Sequence, residues 1–324
     1  MHKYISCFIL ITAIILVSCK TQQLCFNPEV GISCPYDVPI WHPSGRIIGF
    51  NHLPLNEIRY SKPEGECPSF PGYYYENDSI GFWLINADGT NMRRILPYKL
   101  NTPAWSPDGK WIAFTNSGQL CVMPFDGEKF DITAVQTLPI HGVNYCSAWS
   151  SDGKKIAYTQ SVCNDSLVCG VWIYDFEKKY SESVGIYGGF ASWSPNSNSL
   201  IYLKGDSVFS YNNATKTTNF IKYLNTPSVN NRYVKYSPDG KMIAFLSILT
   251  GKGEQLFRIN SDGTELTKLT TEGCVEFSWS PENKIVFVSF DGVSLDKTKG
   301  TLWIMNADGS NKRVLTYNIF ETHQ

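Results

Sequence analysis

Ala104-Trp105-Ser106-Pro107-Asp108-Gly109-Lys110-Trp111-Ile112-Ala113-Phe114-Thr115 is the stretch on which the fold turns. Pro107 presets a turn, and Asp108-Gly109 accepts positive φ. The run that follows, Trp111 to Thr115, is rich in strand formers. Five variants of the opening recur. They are Ile40-Trp41-His42-Pro43-Ser44-Gly45, Ala148-Trp149-Ser150-Ser151-Asp152-Gly153 and Ser192-Trp193-Ser194-Pro195-Asn196, then Lys235-Tyr236-Ser237-Pro238-Asp239-Gly240 and Ser278-Trp279-Ser280-Pro281-Glu282-Asn283. Their aromatic residues stand at 41, 105, 149, 193, 236 and 279, in steps of 64, 44, 44, 43 and 43 residues. A period of about 40–50 residues marks a solenoid, propeller or array.

Each repeat reads as four short strands. In the second copy Asn116-Ser117-Gly118 turns the chain into Gln119 to Met123, Phe125-Asp126-Gly127 turns it again, and a fourth strand falls around residues 132–138. The hairpins Asn86-Ala87-Asp88-Gly89-Thr90, Ser261-Asp262-Gly263-Thr264 and Asn306-Ala307-Asp308-Gly309-Ser310 carry the Asp-Gly pair that tight turns prefer. A lone sheet with two apolar faces does not stay soluble, whereas sheets set radially bury those faces on one another. The fold class is therefore all-β, a six-bladed β-propeller of four-stranded antiparallel blades. The tryptophans at the blade starts are expected to pack between blades.

The copies around Trp105, together with Leu302-Trp303-Ile304-Met305-Asn306-Ala307-Asp308-Gly309-Ser310, resemble the WD-like repeat of the TolB β-propeller family. The resemblance covers residues 36–318. It implies the propeller fold strongly and a function weakly, because related propellers include the TolB translocation protein, prolyl-peptidase domains and some lyases. No separate N-terminal α/β domain like that of TolB precedes the repeats.

Ahead of the repeats, His2 and Lys3 form a basic lead, residues 5–17 are almost wholly apolar, and Leu16-Val17-Ser18-Cys19 closes the run. That is the pattern of a secretory signal, too short for a spanning helix. The ending resembles the lipobox of bacterial lipoproteins, in which Cys19 takes the lipid. The expected division is a signal over residues 1–18, a lipidated linker over 19–35, the propeller over 36–318 and a tail over 319–324. Lys20-Thr21-Gln22-Gln23 lacks an acidic surface-export cluster, so the expected site is the outer membrane, facing the periplasm.

A formal net charge of −1 and no basic run argue against a nucleic-acid surface. Beyond the signal and Cys19, eight cysteines remain: Cys25, Cys34, Cys67, Cys121, Cys146, Cys163, Cys169 and Cys274. An even count in an exported chain favours disulfides. Cys163 and Cys169, flanking a short polar insert, are the pair expected to bond. No paired C-x-x-C spacing supports zinc, no G-x-S-x-G elbow supports a serine hydrolase, and no metal or other cofactor is expected. The turn aspartates, Asp108 and its counterparts, read as turn formers.

Strand order puts the tight Pro-Asp-Gly and Ala-Asp-Gly turns on one face and the insertions on the other. Residues 51–79 are the largest insertion, followed by residues 160–170, 247–254 and 289–299. Long loops on a rigid scaffold commonly carry function. Tyr60, Phe70, Tyr73, Tyr74 and Tyr75, with His52 at the root of the first insertion, are the candidate binding residues. A tyrosine cluster suits a protein partner or a sugar ring. The leading expectation is a non-catalytic envelope lipoprotein that binds a protein partner through this face or the channel mouth. The alternative is a carbohydrate-active or carbohydrate-binding propeller with its site in the channel. For ring closure, the expectation is packing of blade 1 on blade 6 without strand exchange, the N-terminal stretch being held by a disulfide from Cys25 or Cys34.

Overall fold

A computed structural model describes residues 34–59, 72–140, 143–163, 168–186, 188–224, 228–249, 253–289, 298, 300–319 and 321–323. Six four-stranded antiparallel sheets follow one another along the chain. Blade 1 comprises Tyr36–Trp41, Ile47–His52, Gly81–Asn86 and Arg93–Leu96, and blade 2 comprises Asn101–Trp105, Trp111–Asn116, Gln119–Pro124 and Gln136–Thr137. Blade 3 follows with Val143–Trp149, Lys155–Gln160, Gly170–Asp175 and Tyr180–Ile186, and blade 4 with Gly189–Trp193, Ser199–Lys204, Ser207–Asn212 and Thr217–Tyr223. Blade 5 holds Ser228–Tyr236, Met242–Leu249, Gly253–Asn260 and Thr267–Lys268; blade 6 holds Phe277–Trp279, Lys284–Ser289, Thr301–Asn306 and Arg313–Val314. The fourth strand expected over residues 132–138 shrinks to Gln136–Thr137, because a 3-10 turn at Ile132–Ala134 takes the preceding residues.

The repeated opening is a hydrogen-bond module. In blade 5 the Ser237 hydroxyl donates to Asp239 Oδ1 at 2.6 Å and accepts from Met242 N at 2.9 Å, and the same carboxylate oxygen accepts from Lys241 N. Blades 2 and 3 repeat it with Ser106/Asp108 and Ser150/Asp152. The Ser106 hydroxyl holds the Asp108 carboxyl below the ordinary range, as the Thr90 hydroxyl does for Asp88. Ser237→Ala strands Met242 N–H without its side-chain acceptor and is expected to cost about 1–3 kcal/mol, read by urea unfolding. In blade 1 His42 replaces the serine: its Nδ1 accepts from Ser44 N, and its Nε2–H donates across the blade boundary to Gly109 O at 3.1 Å.

Six apolar clusters of buried residues each straddle a pair of neighbouring blades. Trp105, Trp149, Trp193 and Trp279 lie in or against these clusters. The Trp149 indole N–H also donates to Ala104 O of the preceding blade, and that of Trp279 to Lys235 O. A second aromatic position repeats in the second strands: Phe50, Phe114, Tyr158, Tyr202, Phe245 and Phe287, all buried. In five blades it opposes another ring across the sheet, Trp83, Trp172, Phe209, Phe257 or Trp303. Cross-strand aromatic pairs of this kind stabilise a sheet.

Among the described residues no strand is exchanged between the blades. Tyr36, Trp41, Phe50 and Ile85 of blade 1 pack on Val286, Val288, Leu302 and Ile304 of blade 6. Two details depart from the sequence reading. Cys34 is a free thiol that donates to Tyr36 O at 2.8 Å, so it makes no disulfide latch; Cys25 lies outside the described residues. Residues 321–323 are not a loose tail: Glu321–His323 runs parallel to Leu55–Arg59, a strand of the blade-1 insertion. The C-terminus is thereby clasped to the first blade by main-chain pairing.

Candidate functional site

Residues on or just ahead of the first strands of blades 1, 2, 4, 5 and 6 line a central cavity of about 80 Å3. Its walls are mostly apolar, with Ile40, Phe190 and Phe277, and its polar side is Tyr233, Lys235 and Glu276. The inner strands do not run straight past it. Each of the first five breaks register just before the blade's aromatic residue. At the break Val38, Thr102, Phe190 and Tyr233 take positive φ of 50°, 47°, 55° and 57°. Left-handed backbone is costly for bulky and β-branched residues. Every one stands three residues before its blade's aromatic, and all four line the cavity. Strain of this kind concentrates at functional sites.

The polar side has its own imbalance. Lys235 Nζ donates to Phe277 O at 2.7 Å and lies 5.0 Å from that residue's ring centroid. Glu276 accepts from Tyr233 Oη at 3.4 Å, while its Oε2 is buried with no hydrogen-bond partner among the described residues. Burial pushes the Glu276 carboxyl up to about 7, helped by Asp37 and opposed by Lys235. Burial holds the Lys235 ammonium below its ordinary value, opposed by Glu276. Nothing in the repeat pattern announces this pair, because Lys235 on its inner strand and Glu276 just ahead of Phe277–Trp279 occupy positions whose residue differs from blade to blade.

The insertion of blade 1 is more ordered than a loop. Leu55–Arg59 and Gly72–Tyr75 pair antiparallel and, with Glu321–His323, form a small three-stranded sheet. Tyr73 and Tyr75, two apart, share a face with ring centroids 6.5 Å apart. Tyr74 points the other way and is 47% exposed. Tyr60 and Phe70 lie outside the described residues. The expected loop in blade 5 is a lengthened hairpin whose strands reach Leu249 and begin again at Gly253, and an Arg232–Glu254 ion pair ties the blade's first strand to its third.

His52 does not belong with the tyrosines. It is 7% exposed, stacked on Tyr36 at 4.2 Å and edge-on to Trp83, and its Nδ1–H donates to Pro35 O at 3.0 Å. Burial lowers its pKa to about 4. It is a neutral packing residue at the root of the insertion, and its position next to a loop misdirects the sequence reading. Cys163 and Cys169 are bonded, with Cα atoms 5.2 Å apart, and close the blade-3 insertion. Cys121 and Cys274 are buried singly in inter-blade clusters, where a free thiol behaves as a small hydrophobe. Cys19 lies outside the described residues. Among those described, no group of three His, Cys, Asp or Glu side chains is placed to hold a metal ion.

The solved structure of a putative TolB from Agrobacterium tumefaciens matches with a TM-score of 0.58 at 23% identity, over 70% of this chain and 84% of that one. TolB from Acinetobacter baumannii matches with a TM-score of 0.60 at 19% identity, over 84% of this chain and 63% of that one. The fold is that of a TolB-like propeller. An oligogalacturonate lyase from Vibrio parahaemolyticus matches at 0.51 and 12% identity, over 89% of this chain and 78% of its own. In sequence, an uncharacterized protein of Agrobacterium fabrum is 26% identical over 232 residues, 68% of this chain and 76% of that protein. No protein-family model matches.

Proposed function

We propose that this TolB-like propeller is a non-catalytic lipoprotein of the bacterial envelope that binds a protein partner on the face carrying the blade-1 insertion and the channel mouth. The observation that carries the reading is the convergence at the channel: four strained inner-strand residues and a carboxylate oxygen left without a partner. A group held dehydrated and unpaired costs stability and is retained where a ligand repays it. The tyrosines of the accessory sheet add rigid amphipathic surface of the kind enriched at protein interfaces. The TolB likeness supports an envelope protein, and the sequence around Cys19 supports a lipid anchor in the outer membrane facing the periplasm.

The alternative, a carbohydrate-active channel, draws on the lyase likeness, which is one of fold. Its candidate histidine, His52, is buried in the wall of blade 1, away from the cavity lining. The partner reading is tested by purifying the lipoprotein from detergent-solubilised envelope after chemical cross-linking. A stoichiometric protein partner is expected, lost when residues 55–75 are replaced by a short turn and weakened at least about tenfold by Tyr74→Ala. Full retention of that partner by a folded variant lacking the insertion sinks the assignment of this face.

A further inference from the structure

On the opposite face, between blades 2 and 3, lies a groove that neither the channel nor the insertion explains. It offers a volume of about 380 Å3 and is lined by Trp111, Trp149, Phe176, Gln136, Asp108 and Asp152. The Trp149 and Phe176 rings stack nearly parallel, with centroids 5.0 Å apart and planes at 6°. All three rings are half-buried, packed on the blade 2–3 cluster while each keeps some exposed surface.

The neighbouring junction shows that an open groove is not a necessity of the repeat. Between blades 1 and 2 the equivalent tryptophan, Trp105, carries Phe125 at 5.0 Å and Phe130 at 5.6 Å, and His42 caps its edge at 4.8 Å. Between blades 2 and 3 Phe176 takes the place of Phe125. The turn of residues 176–179 is too short to supply a second ring, and Ser106 stands where His42 stood. Trp111 is also singular. The residue before the one paired with the blade's aromatic is Ile47, Lys155, Ser199, Met242 and Lys284 in the other blades. Only blade 2 puts an aromatic ring there, and it is directed into this groove.

The rim narrows the choice of ligand. Asp108 and Asp152 each fix one oxygen, Oδ1, in their own turn through a serine hydroxyl and a backbone N–H. The Ser106 hydroxyl keeps Asp108 ionised, and the Asp152 carboxyl is likewise held low. Both therefore present fixed acceptors. Lys110 accompanies Asp108, and Lys154 and Lys155 accompany Asp152. That balance removes most of the pull on a cationic ligand. What remains is a set of aromatic faces beside oriented acceptors and the Gln136 amide, in a volume within the range of small-molecule sites.

We infer that this groove is a saccharide-binding site for a neutral pyranose of a larger glycan. The C–H face of the sugar would lie on the Trp111 or Trp149–Phe176 surface, and its hydroxyls would donate to Asp108 and Asp152. The inference is independent of the partner reading, which uses the other face.

Chitotriose, cellotriose and maltotriose, titrated separately into the detergent-solubilised full chain, test it by calorimetry and intrinsic tryptophan fluorescence. Saturable binding of at least one is expected. Affinity should fall at least about tenfold in Trp111→Lys, the residue blade 3 carries at this position, and in Phe176→Ala, and stay unchanged in Tyr223→Ala, an exposed residue of blade 4. Circular dichroism of each variant separates lost binding from lost folding, and Gln136→Ala serves if the ring variants unfold. Three results overturn the inference: no saturable binding by any of the three sugars, binding indifferent to the groove variants, or groove-dependent binding of a hexalysine peptide in place of the sugars.

Discussion

Phe50→Ala is expected to lower the free energy of unfolding by about 3–5 kcal/mol, the usual cost of truncating a fully buried phenylalanine. That is a large share of the roughly 5–15 kcal/mol that holds a domain together. Phe50 has no exposed surface and lies at the one junction where the ring meets itself, between blade 1 and Val286, Val288 and Leu302 of blade 6. Its ring also packs on Tyr36 at 5.6 Å, and Trp83 stands opposite it across the sheet. Nothing covalent closes this junction among the described residues; the clasp by Glu321–His323 is a short main-chain pairing. Phe114→Ala in blade 2 is the comparison. Its residue is slightly exposed and opposes Cys121, so it should cost less. Urea unfolding of both variants decides the matter: a Phe50→Ala loss below about 1 kcal/mol would mean that apolar packing does not hold the seam.

The blades were legible because each repeat states its own turn chemistry. Ser-Pro-Asp-Gly needs no distant contact to form: serine, aspartate and the backbone five residues on satisfy one another locally. The third strands could be placed for the same reason, from the Ala-Asp-Gly hairpins. Harder to read were features set by contacts far along the chain. Residues 321–323 pair with a strand more than 260 positions earlier, and three residues carry no pattern of their own. The second aromatic position, from Phe50 to Phe287, was open to reading. It lies nine residues past the first in five blades and eight in blade 6.

The candidate site was legible only in outline. Order along a strand says which face an insertion joins, and it put Tyr73 to Tyr75 on an accessory element. It does not say whether a side chain at the root of that element turns inward, and His52 does. The lining of the channel was invisible for a deeper reason. Its character comes from a register break repeated in the inner strands and from Glu276 and Lys235 being brought together from different blades. Neither a bulge without glycine nor a charge on an apolar strand has a local signature that separates a functional residue from an exposed one.

Glu276→Gln is expected to stabilise the protein at alkaline pH and to flatten its stability profile. The carboxyl sits at about 7 in the folded chain against an ordinary value of 4.5, first because burial penalises its charge and then because Asp37 repels it. A group whose folded value is raised favours folding fully while protonated, below about pH 4.5. That contribution is lost as the pH climbs through 7, where the folded state must accommodate the charge. Glutamine keeps the shape and has no charge to lose. The gain at pH 8 should be on the order of 1–3 kcal/mol, shrinking toward zero near pH 5. Lys235 opposes the full effect: its desolvated ammonium uses Glu276 as counter-charge, and the variant removes it. Tyr233, Cys274 and the Asp37–Lys99 pair complete the charged and titratable surroundings. Urea unfolding of wild type and variant from pH 5 to 8, with Lys235→Met and the double variant alongside, separates the two contributions. A difference that does not change with pH would remove Glu276 as the titrating group. A loss at pH 8 that Lys235→Met abolishes would make the carboxylate a structural counter-ion, and the channel's unpaired oxygen would no longer argue for a ligand.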